Sequence, residues 1–223
     1  MMRFTSLEDL GLSIAAMSET SDGDCAYAEV RRSVCETAQA SFERLAMLSQ
    51  VHGNSVLSVD PDRALDADPR EGDGLLTREP ALPLGVTVAD CVPVYLFDPR
   101  ARAGGIVHAG RAGTYSRIVE NAVCALERDH GVDARDLHAV VGPSAGPCCY
   151  EVSLEIARDF EGSGLPVRGR YLDLWQSNVL QLVRCGVPHS QIEVVAICTI
   201  CDGRFHSYRR KPTGGRNLAL LML

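Results

Sequence analysis

The stretch LGVTVADCVPVYLFDP, residues 84–99, constrains the chain more than any other. Its apolar and β-branched residues fit a buried strand, yet Asp90 and Cys91 interrupt the run and Pro93 follows two positions later. Proline cannot donate to a strand ladder, so Pro93 predicts a bend or bulge close to Cys91. Bulges re-aim side chains and often border sites, which gives the carboxylate and the thiol a possible purpose.

Other β-like runs are SQVHGNSVLSV, GGIVHAG, LHAVVG, IEVVAIC and the terminal NLALLML. Between them, helical periodicity occurs three times. Residues 25–48 read as a helix capped by Asp24. YSRIVENAVCALERDHG places Ile118, Ala122 and Leu126 on one face and stops at Gly131, and YLDLWQSNVLQLVRCG spaces Leu172, Trp175, Val179 and Leu182 helically and stops at Gly186. Trp175 lies in an apolar helical stripe and reads as packing rather than as a stacking platform. Strands mixed with few helices predict a mixed α/β sheet protein. At 223 residues the chain is expected to form one domain over 1–223, with the acidic, turn-rich stretch 60–74 as a surface loop.

Composition narrows function. A net charge of −7 offers no electrostatic footprint for nucleic acid or anionic membrane and favours small-molecule substrates. Lys211 is the one lysine, so an anion site must be built from arginine. No apolar run reaches the ~20 residues needed to span a bilayer, and Glu8 and Asp9 are unlike a signal peptide, so a cytoplasmic location is expected. There, nine cysteines read as free thiols, ligands or catalysts rather than as a disulfide framework.

Three β-like segments each carry a soft-metal ligand beside a glycine or a bend: His52 in QVHG, Cys91 in ADC and His108 in VHAG. Two imidazoles and a thiolate make a catalytic zinc set with one open position. Sheet histidines and a small buried cysteine are the plain alternative, and spacing alone does not decide between them.

The motifs QVHG, ADCVPV with its following DP, VHAG, GPSAGPCCYEV and CTICDGRFHSYRR stand in the order and approximate spacing of the YfiH/laccase-domain family, which this chain resembles over about residues 45–223. The resemblance implies a four-layer α/β/β/α sandwich and a zinc-dependent purine nucleoside phosphorylase that also deaminates adenosine. The implied substrates are phosphate with adenosine, inosine, guanosine or methylthioadenosine. It implies His52, Cys91 and His108 as zinc ligands, with copper the less favoured metal, and Arg209 as an anion contact.

Around this core, Tyr150 is a candidate for lining the pocket, and GPSAGPCCYEV suggests a turn before a helix near Ser153 that is a candidate phosphate or oxyanion cradle. Arg209 and Arg210 are expected near a strand end, with a solvated basic pair as the alternative. Asp73 is a candidate contact for ribose hydroxyls or, equally, a turn cap. Asp90 reads as a hydrogen-bonding support. Cys148 and Cys149 read as structural or substrate-lining thiols, and Cys198 and Cys201 form a CxxC with no second CxxC to complete a four-cysteine zinc site. Family members continue the second histidine motif as HAGWRG, whereas this chain has Arg111 and Ala112 after Gly110, and MSETSDGD replaces the family's TTRxGGxS-like loop. Arg111 is therefore a candidate substrate contact in place of an aromatic ring, and weaker base discrimination is expected. The rival readings are a cysteine hydrolase acting on peptidoglycan precursors, a copper polyphenol oxidase and a non-enzymatic zinc-stabilised module. Oligomeric state is not legible, and a monomer is the working expectation.

Overall fold

The computed structural model describes residues 1–60 and 70–223; residues 61–69, most of the stretch read as a surface loop, lie outside the described residues. The strands are β1 (Met2–Arg3), β2 (Ile14–Met17), β3 (Val56–Ser58), β4 (Gly74–Thr77), β5 (Leu84–Val88), β6 (Val92–Asp98), β7 (Ala103–Ala109), β8 (His138–Val141), β9 (Val167–Arg168), β10 (Tyr171–Leu172), β11 (Ile192–Val194) and β12 (Asn217–Met222). The helices are α1 (Thr5–Glu8), α2 (Ala28–Thr37), α3 (Arg111–Tyr115), α4 (Ile118–His130), α5 (Leu154–Gly162) and α6 (Leu174–Arg184).

A four-stranded antiparallel sheet runs β1-β2-β12-β5, and a six-stranded mixed sheet runs β11-β8-β6-β7-β4-β3 with parallel pairs only at its two edges. Strand residues alternate between faces, so one run supplies two cores. Leu75, Tyr95, Phe97, Ile106 and Val140 of the larger sheet pack against Met17, Val86, Val88, Ala219 and Leu221 of the smaller. Their neighbours Leu76, Val94, Leu96, Val107 and Val141 face outward onto Ile118, Ala122, Leu126, Val179 and Leu182 of α4 and α6. On the far side, Ile14, Ala16, Leu218 and Leu220 meet Val34 and Cys35 of α2. The layers are thus helix, sheet, sheet and helix, the four-layer α/β/β/α arrangement expected. Near-continuous apolar strands are what two-faced burial requires.

Several local expectations are corrected. The run 84–97 is two strands in different sheets, because β5 ends at Val88 and β6 begins at Val92. The chain crosses between sheets through Asp90, whose φ of 85° is left-handed. Pro93 makes no bulge. It pairs in register with His108, and its carbonyl accepts from Gly142 N on the β8 side, where the ladder begins only at Val94. No ladder bond therefore needs the amide that proline lacks.

The helix expected over 25–48 is confined to α2. Gln39 adopts φ 62°, its amide bonds Glu36 O, and Ala40 N bonds Cys35 O, which together form a Schellman ending without the glycine that usually marks one. Asp24 does not cap α2; its carboxylate accepts from the amides of Ala26 and Arg216. By contrast α6 ends in the same motif at Gly186, where the sequence announces it. Trp175 packs against the outer core and donates from Nε1 to Ser144 Oγ at 2.7 Å, as its place in the apolar stripe implied.

Candidate active site

Each of the three dispersed ligand candidates is delivered by a different device. His108 sits near the end of central strand β7 and is 2% exposed. Cys91 lies in the crossing between the two sheets, immediately after left-handed Asp90. His52 is in the loop before β3, also left-handed at φ 59°, and is exposed toward the cavity mouth. Two of the three candidates are therefore set by backbone that side chains seldom adopt, a form of strain that collects at functional sites. One donor atom from each of the three lies within 4.8 Å of the other two, and the two imidazole rings stand 4.9 Å apart at 75°.

Asp73 organises this group from below. Its Oδ1 accepts from His52 N at 3.0 Å and lies 2.8 Å from His108 Nδ1, and its Oδ2 accepts from Gly53 N at 2.7 Å and Val51 N at 3.3 Å. The carboxylate thereby fixes the His52 loop and the His108 tautomer together, leaving His108 Nε2 for the cluster. Asp73 is fully buried and does not line the cavity, so it is placed to cap and orient rather than to meet ribose hydroxyls.

Burial alone would raise the Cys91 thiol, but the charge of His108 and hydrogen bonds from His108 and His52 bring it down to about 6. Burial likewise opposes protonation of His108, yet Cys91 and Asp73 raise it to about 9. The thiolate is the form that ligates metals, so the donor set suits a metal ion. Gly110 completes the fit: a Cβ there would stand 2.9 Å from Cys91 Sγ and 3.4 Å from His52 Cδ2.

The three residues open on a cavity of about 630 Å³, within the usual range of small-molecule sites. Arg111, Arg209 and Arg216 line it, with Tyr150 and Tyr208. Arg111 opens α3, which α6 holds in place through Gln181 Nε2 donating to Thr114 O at 2.7 Å. Arg209 lies over the Tyr150 ring at 4.7 Å and donates to Glu151 O at 2.8 Å. Asp90, the one acidic side chain in the lining among the described residues, accepts from Thr199 Oγ1 and from Arg209 N, both at 2.7 Å, and so performs the support expected of it.

Other candidates are redistributed. SYRR lies in a turn, not near a strand end, and its two arginines part company. The Arg210 guanidinium is bonded to the carbonyls of Thr199, Ile200, Asp202 and Phe205 and stays exposed to solvent, outside the cavity lining that Arg209 joins. The GPSAGPCCYEV segment turns into α5 with Ser153 Oγ accepting from Ile156 N, as expected, but contributes only Tyr150 to the cavity lining and forms no cradle there. Arg216 and Gln50 escaped the sequence reading. A glycine pair before Arg216 was the available signal. The Gln50 amide donates to Thr87 O and accepts from Thr87 N, a contact visible only in three dimensions.

With this geometry in hand, similarity to known proteins is informative. The purine nucleoside phosphorylase YlmD of Geobacillus stearothermophilus is 36% identical over 209 residues, which cover 86% of this chain and 76% of that protein. A purine nucleoside phosphorylase of Corynebacterium glutamicum is 33% identical over 209 residues, covering 91% of this chain and 83% of that one. The crystal structure of Geobacillus YlmD matches with a TM-score of 0.81 at 34% identity, covering 87% of this chain and 79% of that chain. That of the Bacillus licheniformis hypothetical protein YfiH matches with a TM-score of 0.79 at 32% identity, covering 88% and 80%. Residues 11–223 match the family described as multi-copper polyphenol oxidoreductase laccase. With a family match over nearly its whole length and relatives of this identity and coverage, the chain belongs to the YfiH/laccase-domain family.

Proposed function

We propose that the protein is a zinc-dependent purine nucleoside phosphorylase acting on adenosine, inosine, guanosine and methylthioadenosine, with adenosine deamination as a side reaction. The observation that carries this reading is the meeting, in one cavity, of the His52–Cys91–His108 donor group with Arg111, Arg209 and Arg216. Three guanidinium groups concentrated in a chain of net charge −7 make a local anion site. The relatives named as purine nucleoside phosphorylases support the same reading.

Phosphorolysis forms a bond from a phosphate oxygen to the ribose anomeric carbon and breaks the bond from that carbon to the purine nitrogen, whose electron pair leaves with the base. Arg209 and its two companions neutralise and orient the phosphate, and the Tyr150 and Tyr208 rings offer flat surfaces to the nucleoside. Asp90 supports the site, one oxygen accepting from Thr199 Oγ1 and the other from Arg209 N. Two imidazoles and a thiolate, with Asp73 behind one imidazole, suit zinc. When bound, the ion supplies Lewis-acid polarisation of a reacting oxygen. Copper oxidase chemistry would call for further imidazoles. Among the described residues, His130, His138, His189 and His206 join no donor group.

The test combines metal analysis with chromatographic product analysis on one purified sample. With phosphate, adenosine should yield adenine and ribose 1-phosphate; without phosphate, residual turnover should yield inosine; both should stop with a chelator and in Cys91→Ala. Zinc-loaded protein that releases no base from adenosine, inosine or guanosine would refute the reading. One observation favours a second reading: Cys91, His108 and Asp73 are linked in the order of a thiol, an imidazole and an orienting carboxylate. A cysteine hydrolase editing peptidoglycan precursors would keep its activity under chelation and lose it in Cys91→Ala.

No helix among the described residues is long and apolar enough to cross a membrane. A cytoplasmic, monomeric enzyme without nucleic-acid partners completes the proposal.

A further inference from the structure

A second donor group lies apart from the first. Cys198 and Cys201 lack a second CxxC in the sequence, but the fold brings the neighbouring Cys148 and Cys149 to them, and the four sulfurs lie within 4.8 Å of one another. Cys201 Sγ is 3.2 Å from Cys149 Sγ and 3.7 Å from Cys148 Sγ. A tetrahedron with Zn–S bonds of about 2.3 Å has S···S edges of about 3.8 Å, so the four sulfurs need only small adjustments to surround one ion.

The backbone is arranged for the same purpose. The Cys198–Cys201 turn closes with Cys201 N and Asp202 N both bonding Cys198 O, and the amide of Gly146 points at Cys198 Sγ at 3.2 Å, joined by those of Ile200 and Cys201. Amides directed at sulfur favour its thiolate form. Across the group, Gly146 O accepts from Cys149 N and Tyr150 N, and Ser144 pairs with Cys198 in an isolated bridge. Arg210, bonded to the carbonyls of Thr199, Ile200 and Asp202, sets a positive charge against the turn that carries Cys198 and Cys201.

We propose that Cys148, Cys149, Cys198 and Cys201 form a second, structural metal site, a four-thiolate zinc centre that staples the 144–151 and 197–202 segments together. Binding replaces the thiol protons, which pass to solvent, and no electron is exchanged. The staple fixes one wall of the cavity: Tyr150 follows Cys149, and Thr199, which follows Cys198, donates to Asp90 beside Cys91.

The two sites share no ligand, so the proposal stands or falls independently of the first. Protein purified anaerobically with a reductant should contain two zinc ions per chain; Cys91→Ala and Cys201→Ser should each contain one. Titrating Cys91→Ala with Co²⁺ after chelator has removed its zinc should produce intense thiolate-to-cobalt charge-transfer absorption that zinc abolishes at one equivalent. If Cys201→Ser fails to fold, alkylation of the wild-type chain replaces it: zinc should protect these four cysteines, located by peptide mass analysis, while Cys124 reacts. Absence of the cobalt absorption in Cys91→Ala, or equal alkylation of the four cysteines with and without zinc, would overturn the proposal. So would a Cys149–Cys201 disulfide that takes up no metal after reduction.

Discussion

Replacing Asp73 by Asn tests whether one buried carboxylate holds the donor group together. Asp73 presents two acceptor oxygens to four donors: the amides of Val51, His52 and Gly53, and His108 Nδ1. An asparagine offers one oxygen and one NH₂, so whichever way it turns, one pair of donors meets another donor. With the NH₂ toward Gly53 and Val51, the loop carrying His52 loses its anchor; with the NH₂ toward His108, the imidazole must move its proton to Nε2, the nitrogen that faces Cys91. The first orientation removes two hydrogen bonds to a charged acceptor and the second removes one, that of His52 N, each worth about 1.5–3 kcal/mol, so Asp73→Asn should cost about 1.5–6 kcal/mol of folding stability. Outer partners of metal-ligating histidines are worth 10–100-fold in metal affinity, on the order of the loss expected here. Urea unfolding and zinc competition with a chromophoric chelator would measure the two effects. Wild-type zinc affinity together with a wild-type unfolding free energy would refute the assignment of Asp73 as the organiser.

Gly110→Ala isolates sterics, because Gly110 has an ordinary φ of −68° and its added Cβ would crowd Cys91 Sγ at 2.9 Å; overpacking of about 1–3 kcal/mol should appear as weakened zinc binding, and undiminished zinc affinity would show that the ligands have room to give. Arg209→Ala should reduce phosphate-dependent turnover by tens- to a hundredfold, the equivalent of about 2–3 kcal/mol, without removing zinc, since Asp90 holds the Arg209 backbone amide and not its guanidinium; an unchanged KM for phosphate would move the anion site to Arg111 or Arg216. Asp24 is lowered although burial opposes this, because amides of Ala26 and Arg216 bond its carboxylate; a lowered folded-state pKa stabilises above the unfolded value and is lost as pH falls through the folded one. Asp24→Asn should therefore flatten the acid side of the stability profile below about pH 4, and an identical acid limb by thermal unfolding would show that these bonds contribute nothing.

The fold class, the helices that end in glycine and the three ligand candidates of the first site are legible along the chain. Each of those is a local signal: near-continuous apolar runs along strands buried on both faces, a left-handed stop at Gly131 and Gly186, and a histidine or cysteine beside a break in an apolar run. Where the same physics was written without its usual letter, reading failed, as at Gln39, which ends α2 in the conformation that glycine ordinarily takes. Only the folded arrangement reveals that 84–97 crosses between two sheets, that Asp73 lies beneath the candidate ligands instead of in the cavity, and that Arg210 bonds carbonyls while Arg209 lines the cavity. It also brought Cys148 and Cys149 to Cys198 and Cys201 across about fifty residues of chain. Such partnerships depend on which segments the sheets place side by side, and a pairwise contact between distant residues leaves no periodicity along the chain for a single sequence to display.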